Sequence, residues 1–285
     1  AIPMRKALFA ALFALAAAAA AAAPAAPPAR VVSINLCTDQ LALLLAAPGQ
    51  LISVSDWAAR PEASNLAEEA ERLPANAGSA EQVFLMRPDL VLAGSFSNAA
   101  TVEMLRRLGL RVELFPPARS VAAIREAIAR MGALLGREAA AADLAADLDA
   151  RLATQAARAV GLPREAAAYH YPNNYSSGAG TLAAEVLDRA GFDNAAAALG
   201  VEGVGRLPLE TLVMARPFLI RTEHISGTNP GRAYEPARHP ALAALAAEGR
   251  GARVAERWQV CGTPFVVEAV AALLDARLGA AGGDE

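Results

Sequence analysis

Lysine is almost absent from this sequence. Lys6 is the one lysine, and the other basic residues are arginines. Taking Arg5 and Lys6 away with a predicted leader leaves 24 of the 26 basic residues against 29 acidic ones, a net charge of −5. A mildly acidic chain without a basic cluster lacks the electrostatic footprint of a protein that binds nucleic acid or anionic membranes.

A long apolar run is also missing, except at the N-terminus, where Ala7 to Ala23 follow Arg5 and Lys6. A membrane-spanning helix needs ~20 strongly apolar residues, and this run is shorter and mostly alanine. Residues 1–23 are therefore predicted to be a cleaved signal peptide, with small residues at its end for the peptidase. The roughly 260 residues that remain are enough for two lobes.

Cysteine is scarce, with Cys37 and Cys261 the two examples. In an exported protein they could form a disulfide, remain two free thiols or bind a soft metal ion. The sequence alone leaves these alternatives open.

Strands and helices alternate in both halves of the chain, which is typical of parallel sheets in α/β lobes. Strands are predicted at 30–35, 51–55, 90–93 and 111–115, and then at 166–171, 218–222 and 252–258. Thr38 and Asp39 are predicted to cap the first helix, and Ser120 a later one. Residues 137–160 contain no internal glycine or proline and predict one helix, ~30 Å long at 1.5 Å per residue. The predicted architecture is therefore two α/β lobes, residues 30–136 and 161–279, joined by this helix.

An internal repeat supports two related lobes. Glu81 to Val91 and Glu210 to Ile220 both read as a glutamate, a short amphipathic turn, Arg-Pro, one residue and an aliphatic strand. The glutamate precedes the proline by seven positions in each segment. Their matching places on either side of the long helix favour a structural repeat.

These features resemble the periplasmic binding proteins for iron-siderophores, haem and vitamin B12. The resemblance rests on the opening run Arg30 to Leu41, on the segment Gly78 to Val91 and on the bridging helix, and it covers essentially the whole mature chain. The second lobe departs from it at Phe218, where the family commonly has Asp. The resemblance implies a shallow cleft between two lobes that move little.

The resemblance also implies a function. The chain is expected to be a periplasmic, monomeric and non-enzymatic component of an ABC importer, without a covalently bound cofactor. It would bind a metal chelate (an iron-siderophore, haem or a cobalamin) and deliver it to the permease dimer and its ATPase. By position, Glu81 and Glu210 are the candidates for docking on permease arginines. Alternatively, each is a first-turn residue that stabilises its helix by ~0.3–1 kcal/mol.

Ligands of open α/β sheets bind beyond the carboxyl ends of the strands, so the loops there predict the site. Aromatic side chains with a few polar groups suit a large planar ligand. The predicted binding residues are Cys37, Thr38, Trp57, Ser95, Phe96, Tyr171, Tyr175, His224, Trp258 and Cys261.

Two other functions compete less well. A bare zinc or manganese site would draw ligands from both lobes, whereas His170, His224 and His239 all lie in the second half. A secreted enzyme has little support, because the G-x-G-x-x-A match at Gly178 to Ala183 is weak and lacks the acidic residue about twenty positions later. The sequence contains no G-x-S-x-G, H-E-x-x-H or P-loop motif.

Overall fold

The computed structural model describes residues 26–222, 231–247 and 251–281. The predicted signal peptide lies outside these residues. The first half folds around a parallel sheet of five strands in the order β3-β2-β1-β4-β5. The strands are Val31–Ser33 (β1), Leu51–Ser55 (β2), Ala75–Asn76 (β3), Leu90–Gly94 (β4) and Val112–Phe115 (β5). The helices are Leu36–Leu45 (α1), Ala67–Ala70 (α2), Ala80–Leu85 (α3), Ala99–Arg107 (α4) and Val121–Leu135 (α5). We call this unit the N-lobe.

The first helix begins earlier than its sequence predicted. Asn35, not Thr38 or Asp39, is the N-cap, and its side chain accepts hydrogen bonds from the amides of Cys37 and Thr38. Asparagine caps well because its side-chain oxygen satisfies amides that have no partner within the helix. The prediction at Ser120 is correct, since Ser120 accepts from Ala123 N at the start of α5.

A single helix of 22 residues, Glu138–Ala159 (α6), follows α5 and leads into the second half. Leu148 and Leu152 are buried on its inner face. Its polar face is tied to both halves, because Asp149 pairs with Arg125 of α5 and Arg151 pairs with Glu268 of the last helix. The bridging helix predicted from the sequence is therefore present.

The second half, which we call the C-lobe, has a separate four-stranded parallel sheet in the order β11-β10-β6-β8. A two-stranded antiparallel ribbon, β7-β9, is added to it. The strands are Glu165–His170 (β6), Tyr175–Ser177 (β7), Phe192–Asn194 (β8), Val204–Arg206 (β9), Phe218–Thr222 (β10) and Gly251–Val254 (β11). The helices are Leu182–Arg189 (α7), Ala195–Ala198 (α8), Leu209–Ala215 (α9), Pro240–Ala247 (α10) and Val266–Ala281 (α11). Two separate sheets bridged by α6 confirm the predicted fold class.

The strand predicted at 252–258 is shorter than expected. β11 pairs with β10 only as far as Val254, and residues 256–258 form a 3₁₀ turn instead. Val254 lies opposite Thr222, the last residue of β10.

The repeated segments adopt the same local structure. Each glutamate lies in the first turn of a short helix, α3 or α9, and an Arg-Pro pair then leads into a parallel strand. Arg87 and Arg216 both have left-handed backbone conformations, with φ of 50° and 44°. Two non-glycine residues in this sparsely populated region at equivalent positions mark a shared turn. Within the described residues, no helix combines the length and apolarity that crossing a membrane requires.

Candidate functional site: the cleft between the lobes

Three adjoining cavities lie at or beside the junction of the two lobes: two are lined by residues of both lobes, and the third by N-lobe residues alone. The largest, about 400 Å³, shares Ala118 and Val260 with a second of about 190 Å³. The second shares Asn35 with a third of about 380 Å³. Because neighbouring cavities share lining residues, they form one continuous cleft. All but two of the residues that line the largest cavity belong to the C-lobe.

The N-lobe wall comes from the loops after β1, β4 and β5, at the carboxyl ends of the strands. Asn35 and Cys37 follow β1, Ser95 and Phe96 follow β4, and Ala118 follows β5. Gly94 allows the first two loops to approach closely, because a Cβ at that position would lie 2.8 Å from the Asn35 side chain. The position of this wall agrees with the general rule for open parallel sheets.

The C-lobe wall is built on the antiparallel ribbon and the start of α7. Thr181 caps α7, and Gly178 pairs through its backbone with Gly203 across the ribbon. A Cβ on Gly178 would lie 1.8 Å from the Val201 carbonyl oxygen, so only glycine fits there. This close backbone approach explains Gly178 in the G-x-G-x-x-A match, and a positive φ of 72° explains Gly180.

A disulfide ties the two walls together. Cys37, at the start of α1, is bonded to Cys261 of the C-lobe, with their Cα atoms 5.0 Å apart. This settles the alternatives that the sequence left open, because neither cysteine is a free thiol or available as a metal ligand.

Other interlobe contacts surround the disulfide. The side-chain amide of Asn65 donates to the Arg257 carbonyl oxygen at 2.6 Å, and the Arg257 guanidinium donates to the Pro61 carbonyl oxygen at 3.2 Å. On the other side, the Val121 amide donates to Glu185 Oε2 at 2.7 Å. The cleft is therefore held at several points besides α6.

The largest cavity contains groups of mixed polarity. Tyr171 Oη lies 3.0 Å from Ser177 Oγ, and burial raises the pKa of Tyr171 well above its ordinary value, with the nearby Glu256 carboxylate raising it further. Burial also raises the pKa of Glu256. Arg119 reaches the same cavity from the N-lobe. Tyr171 is therefore a neutral phenol at any physiological pH.

Five of the predicted residues line the first two cavities, and they differ in exposure. Cys37, Thr38, Ser95 and Phe96 line the second cavity, and Tyr171 lines the first. Thr38 is buried, and its hydroxyl already bonds Ser33 Oγ at 2.8 Å and the Asn35 carbonyl oxygen at 2.9 Å. Phe96 is 84% exposed, so a ligand could cover most of it.

Of the remaining predicted residues that the structure describes, one lines the third cavity, and Tyr175, Trp258 and Cys261 line none of the three. Trp57 lines the third cavity, with the Arg60 guanidinium 4.0 Å from its ring centroid. Trp258 packs partly buried against the main hydrophobic core, and Cys261 is fully buried. Tyr175 lies on β7, half-exposed beside Arg206. His224 lies outside the described residues.

Sequence reasoning missed several residues of the cleft. The strand-end rule, applied to β5, would have found Ala118 and Arg119. Glu256 could not be found in this way, because the predicted strand extended over it, whereas Gln259 follows the end of that strand and was not selected. The ribbon residues of the wall carry no strong sequence pattern, since each of its strands has only three residues.

The proposed docking glutamates stand apart from the cleft. Glu81 and Glu210 are both exposed, one on each lobe. Glu210 lines a separate cavity of about 570 Å³ with His239 and Glu235, at the start of α9. The exposure of both side chains meets the first requirement of a docking role.

A bare metal site finds no geometric support among the described residues. No group of three or more His, Cys, Asp or Glu side chains is placed to hold an ion there. His170 is buried, and burial lowers its pKa. Its Nε2 lies 3.0 Å from Asn174 Oδ1, while Nδ1 has no partner in the described part of the chain.

Similar proteins share this architecture. A periplasmic heme-binding protein of Roseiflexus sp. RS-1 has a TM-score of 0.69 and 20% identity, covering 87% of this chain and 98% of that one. A periplasmic vitamin B12 binding protein of Vibrio cholerae has a TM-score of 0.66 and 19% identity, covering 90% and 98%. At these identities the likeness shows the fold alone.

A curated relative has higher sequence identity than these two structures. A cobalamin-binding protein of Halobacterium salinarum is 29% identical over 197 residues, which are 68% of this chain and 53% of that protein. The chain therefore spans about half the length of that relative.

The sequence model described as periplasmic binding protein matches residues 31–250, well over half of the chain. The match includes the N-lobe sheet, the bridging helix, every strand of the C-lobe sheet except β11, and most of the cleft. It confirms the prediction of a binding protein rather than an enzyme. The chain belongs to the periplasmic binding protein family.

Proposed function

We propose that this protein is the periplasmic receptor of an ABC importer and binds a metal chelate in the interlobe cleft. The observation that carries the proposal is the cleft itself, which runs across both lobes and exposes Trp57, Phe96 and Tyr171 along its length. An open cleft with aromatic surfaces and few charges suits a large, mostly apolar ligand with a polar periphery. The likeness to haem, vitamin B12 and cobalamin binders supports the same class of ligand.

Within this class, Tyr171 offers the ligand a neutral, hydrogen-bonded phenol rather than a phenolate. Its raised pKa keeps the proton on the hydroxyl, and the hydroxyl is already hydrogen-bonded to Ser177. The ligand therefore would meet Tyr171 as an apolar ring and a neutral hydrogen-bonding group. A corrinoid, whose cobalt is already coordinated by its own ring, needs no further ligand from the protein.

A binding titration tests the proposal. The purified protein is titrated with cyanocobalamin, hemin and a ferric hydroxamate, and heat of binding and tryptophan fluorescence are recorded. We expect one of the three to bind with Kd below ~1 µM, equivalent to about 8 kcal/mol. Failure of all three to bind would contradict the proposal.

A matched pair of variants locates the site. Phe96→Ala removes a ring that is 84% exposed in the cleft, and Met214→Ala removes an equally exposed side chain on α9. Binding should weaken in the first variant and stay unchanged in the second. Equal affinities of the two variants would place the ligand elsewhere.

We also propose that Glu81 and Glu210 dock on arginines of the permease. Their support is the repeated helix, left-handed arginine and proline on each lobe, which presents one exposed carboxylate per lobe in the same local structure. Charge reversal of both glutamates should abolish uptake of the chelate by cells that carry the importer, while Kd for the chelate stays the same.

The control separates docking from a helix-dipole effect. Glu68 and Glu138 are also exposed first-turn glutamates, but they lie outside the repeat. Reversal of both removes a similar dipole interaction. If this control abolishes uptake equally, the docking role of Glu81 and Glu210 is wrong.

A further inference from the structure

Two opposite charges stand unpaired on facing walls of the largest cavity. Arg119 comes from the N-lobe loop after β5, and Glu256 comes from the C-lobe turn after β11. Neither side chain has a hydrogen-bond or ion-pair partner among the described residues. They line the same cavity without contacting each other.

Several charged side chains close to Arg119 and Glu256 have ion-pair or hydrogen-bond partners. Arg125 and Arg130, on the helix that follows Arg119, pair with Asp149 and Glu113. Glu185, at the base of the same junction, is bound by Arg189 and by the Val121 amide. Glu126 on α5 and Arg253 on β11 also lack a partner among the described residues, but neither lines the cleft, so Arg119 and Glu256 are the two charged groups of the largest cleft cavity and both are unpaired.

The surroundings of Glu256 make a missing partner costly. Its side chain is partly buried, and burial is the cause that raises the pKa of its carboxyl. A carboxylate that loses water without gaining a hydrogen bond is destabilised, and a ligand that donates to it removes that cost. Arg119 is exposed and presents several N–H donors that fit an anionic oxygen group.

We infer that Arg119 and Glu256 determine ligand specificity and that each binds the ligand from a different lobe. Arg119 binds an anionic group of the ligand, and Glu256 accepts hydrogen bonds from amide or hydroxyl groups at its periphery. The ligand that satisfies both is a corrinoid that carries a phosphodiester and carboxamide arms. This inference rests on the proposed function, because it assigns the ligand within the same cleft.

The test compares two corrinoids that share the ring and its carboxamides. Cyanocobalamin carries the phosphodiester, and dicyanocobinamide lacks it. The unaltered protein should bind cyanocobalamin about tenfold or more tightly, and Arg119→Gln should reduce that preference to about twofold, since one charge-assisted hydrogen bond corresponds to about a factor of ten. Glu256→Gln should weaken both corrinoids by a similar factor, because both carry the amide donors.

Matched controls change the same charges away from the cleft. Arg107 on α4 and Glu126 on α5 are both exposed, and neither lines the three cavities. Arg107→Gln and Glu126→Gln should leave both affinities and their ratio unchanged. Circular dichroism of all four variants checks that each is folded.

The outcomes separate this inference from the proposed function. If cyanocobalamin binds and both cleft variants keep its affinity and the preference, the roles of Arg119 and Glu256 are wrong, while the chelate receptor stands. Binding of hemin or a ferric hydroxamate without either corrinoid also overturns the corrinoid assignment alone. If none of these chelates binds, both proposals fail.

Discussion

The two lobes share a repeat but differ in how they use their polar groups. In the N-lobe, Thr38, Asp39 and Asn76 are buried and bonded to neighbouring strands or loops. In the C-lobe, three side-chain atoms (His170 Nδ1, Ser176 Oγ and Thr263 Oγ1) are buried without a partner in the described part of the chain, against one in the N-lobe, Gln40 Nε2. The C-lobe also carries the ribbon and most of the largest cavity. Buried polar groups of the N-lobe are mostly bonded within that lobe, whereas the C-lobe supplies most of the residues that line the largest cleft cavity.

This difference shows how a repeated unit can be specialised. Both lobes keep the short helix, the left-handed arginine and the parallel strand. Only the C-lobe adds an antiparallel ribbon, whose strands β7 and β9 follow β6 and β8 along the chain. Extra loops at strand ends can alter a site without changing the sheet that supports it.

The largest expected effect comes from separating the lobes. Cys37→Ala with Cys261→Ala removes a cross-link between residues 224 positions apart. Loops of this size imply a loss on the order of 4 kcal/mol in the free energy of unfolding, or about 10 °C in Tm. Calorimetry should also show a broader transition or two transitions, because the lobes then unfold more independently.

Chemical reduction is the control for that variant. The unaltered protein treated with a reductant should reach the same Tm as the double variant. A double variant with unchanged Tm would show that α6 and the other interlobe contacts hold the lobes by themselves.

The next effect probes the N-lobe through Asp39. Burial raises the pKa of Asp39 from 3.8 to about 6, although hydrogen bonds from Ser55 act in the opposite direction. Between these values the folded state holds a proton that the unfolded chain releases, so stability falls as pH rises. The free energy of unfolding should fall by about 3 kcal/mol relative to Asp39→Asn from ~pH 4 to ~pH 7.

Urea titrations across this pH range measure the Asp39 effect. Asp143→Asn, at an exposed position on α6, is the control and should follow the unaltered protein. Parallel curves for Asp39→Asn and the unaltered protein would show that Asp39 does not bind its proton more tightly in the folded state.

A smaller effect probes the C-lobe ribbon. Gly178→Ala should lower the free energy of unfolding by about 2 kcal/mol, because the added methyl group meets the Val201 carbonyl. The same substitution at Gly279, which lies in α11 with open space around it, should raise stability by about 0.5 kcal/mol or more. Thermal unfolding of both variants shows whether each substitution raises or lowers Tm. Equal changes in Tm would contradict the close backbone packing in the ribbon.

The smallest effect compares aromatic contacts of the two walls. Tyr171→Ala should weaken chelate binding by roughly tenfold, since the ring is half-buried and already ordered. Phe96→Ala should cost less, about threefold, because its exposed ring is ordered only on binding. Titration of both variants, with Tyr171→Phe as a control for the hydroxyl, measures the difference, and a larger effect at Phe96 would reverse the comparison.

Much of the fold could be predicted from the sequence because its signals are local. Ser120 marked the start of α5, and residues 137–160 indicated one helix because they lack glycine and proline. The repeat predicted equivalent turns in the two lobes, since its spacing depends on a short helix followed by an Arg-Pro pair.

The cleft was less predictable because it depends on contacts between distant segments. The disulfide joins residues that only the packing of the two lobes brings together. Thr38 was predicted to face the ligand, but its hydroxyl bonds within the N-lobe. Arg119 and Glu256 line the same cavity from different lobes. Its C-lobe wall depends on a ribbon whose strands have three residues each, too few for a periodic sequence pattern.

The disulfide between the walls has a consequence for signalling to the membrane. In receptors whose lobes close over the ligand, the closed conformation is a change that the membrane partner can recognise. Here α6 and the Cys37–Cys261 bond both link the two lobes, so we expect the loaded and empty proteins to present nearly the same outer face. Under the proposed function, the importer must therefore detect the chelate itself, and release of the cargo must be driven by the importer rather than by spontaneous opening.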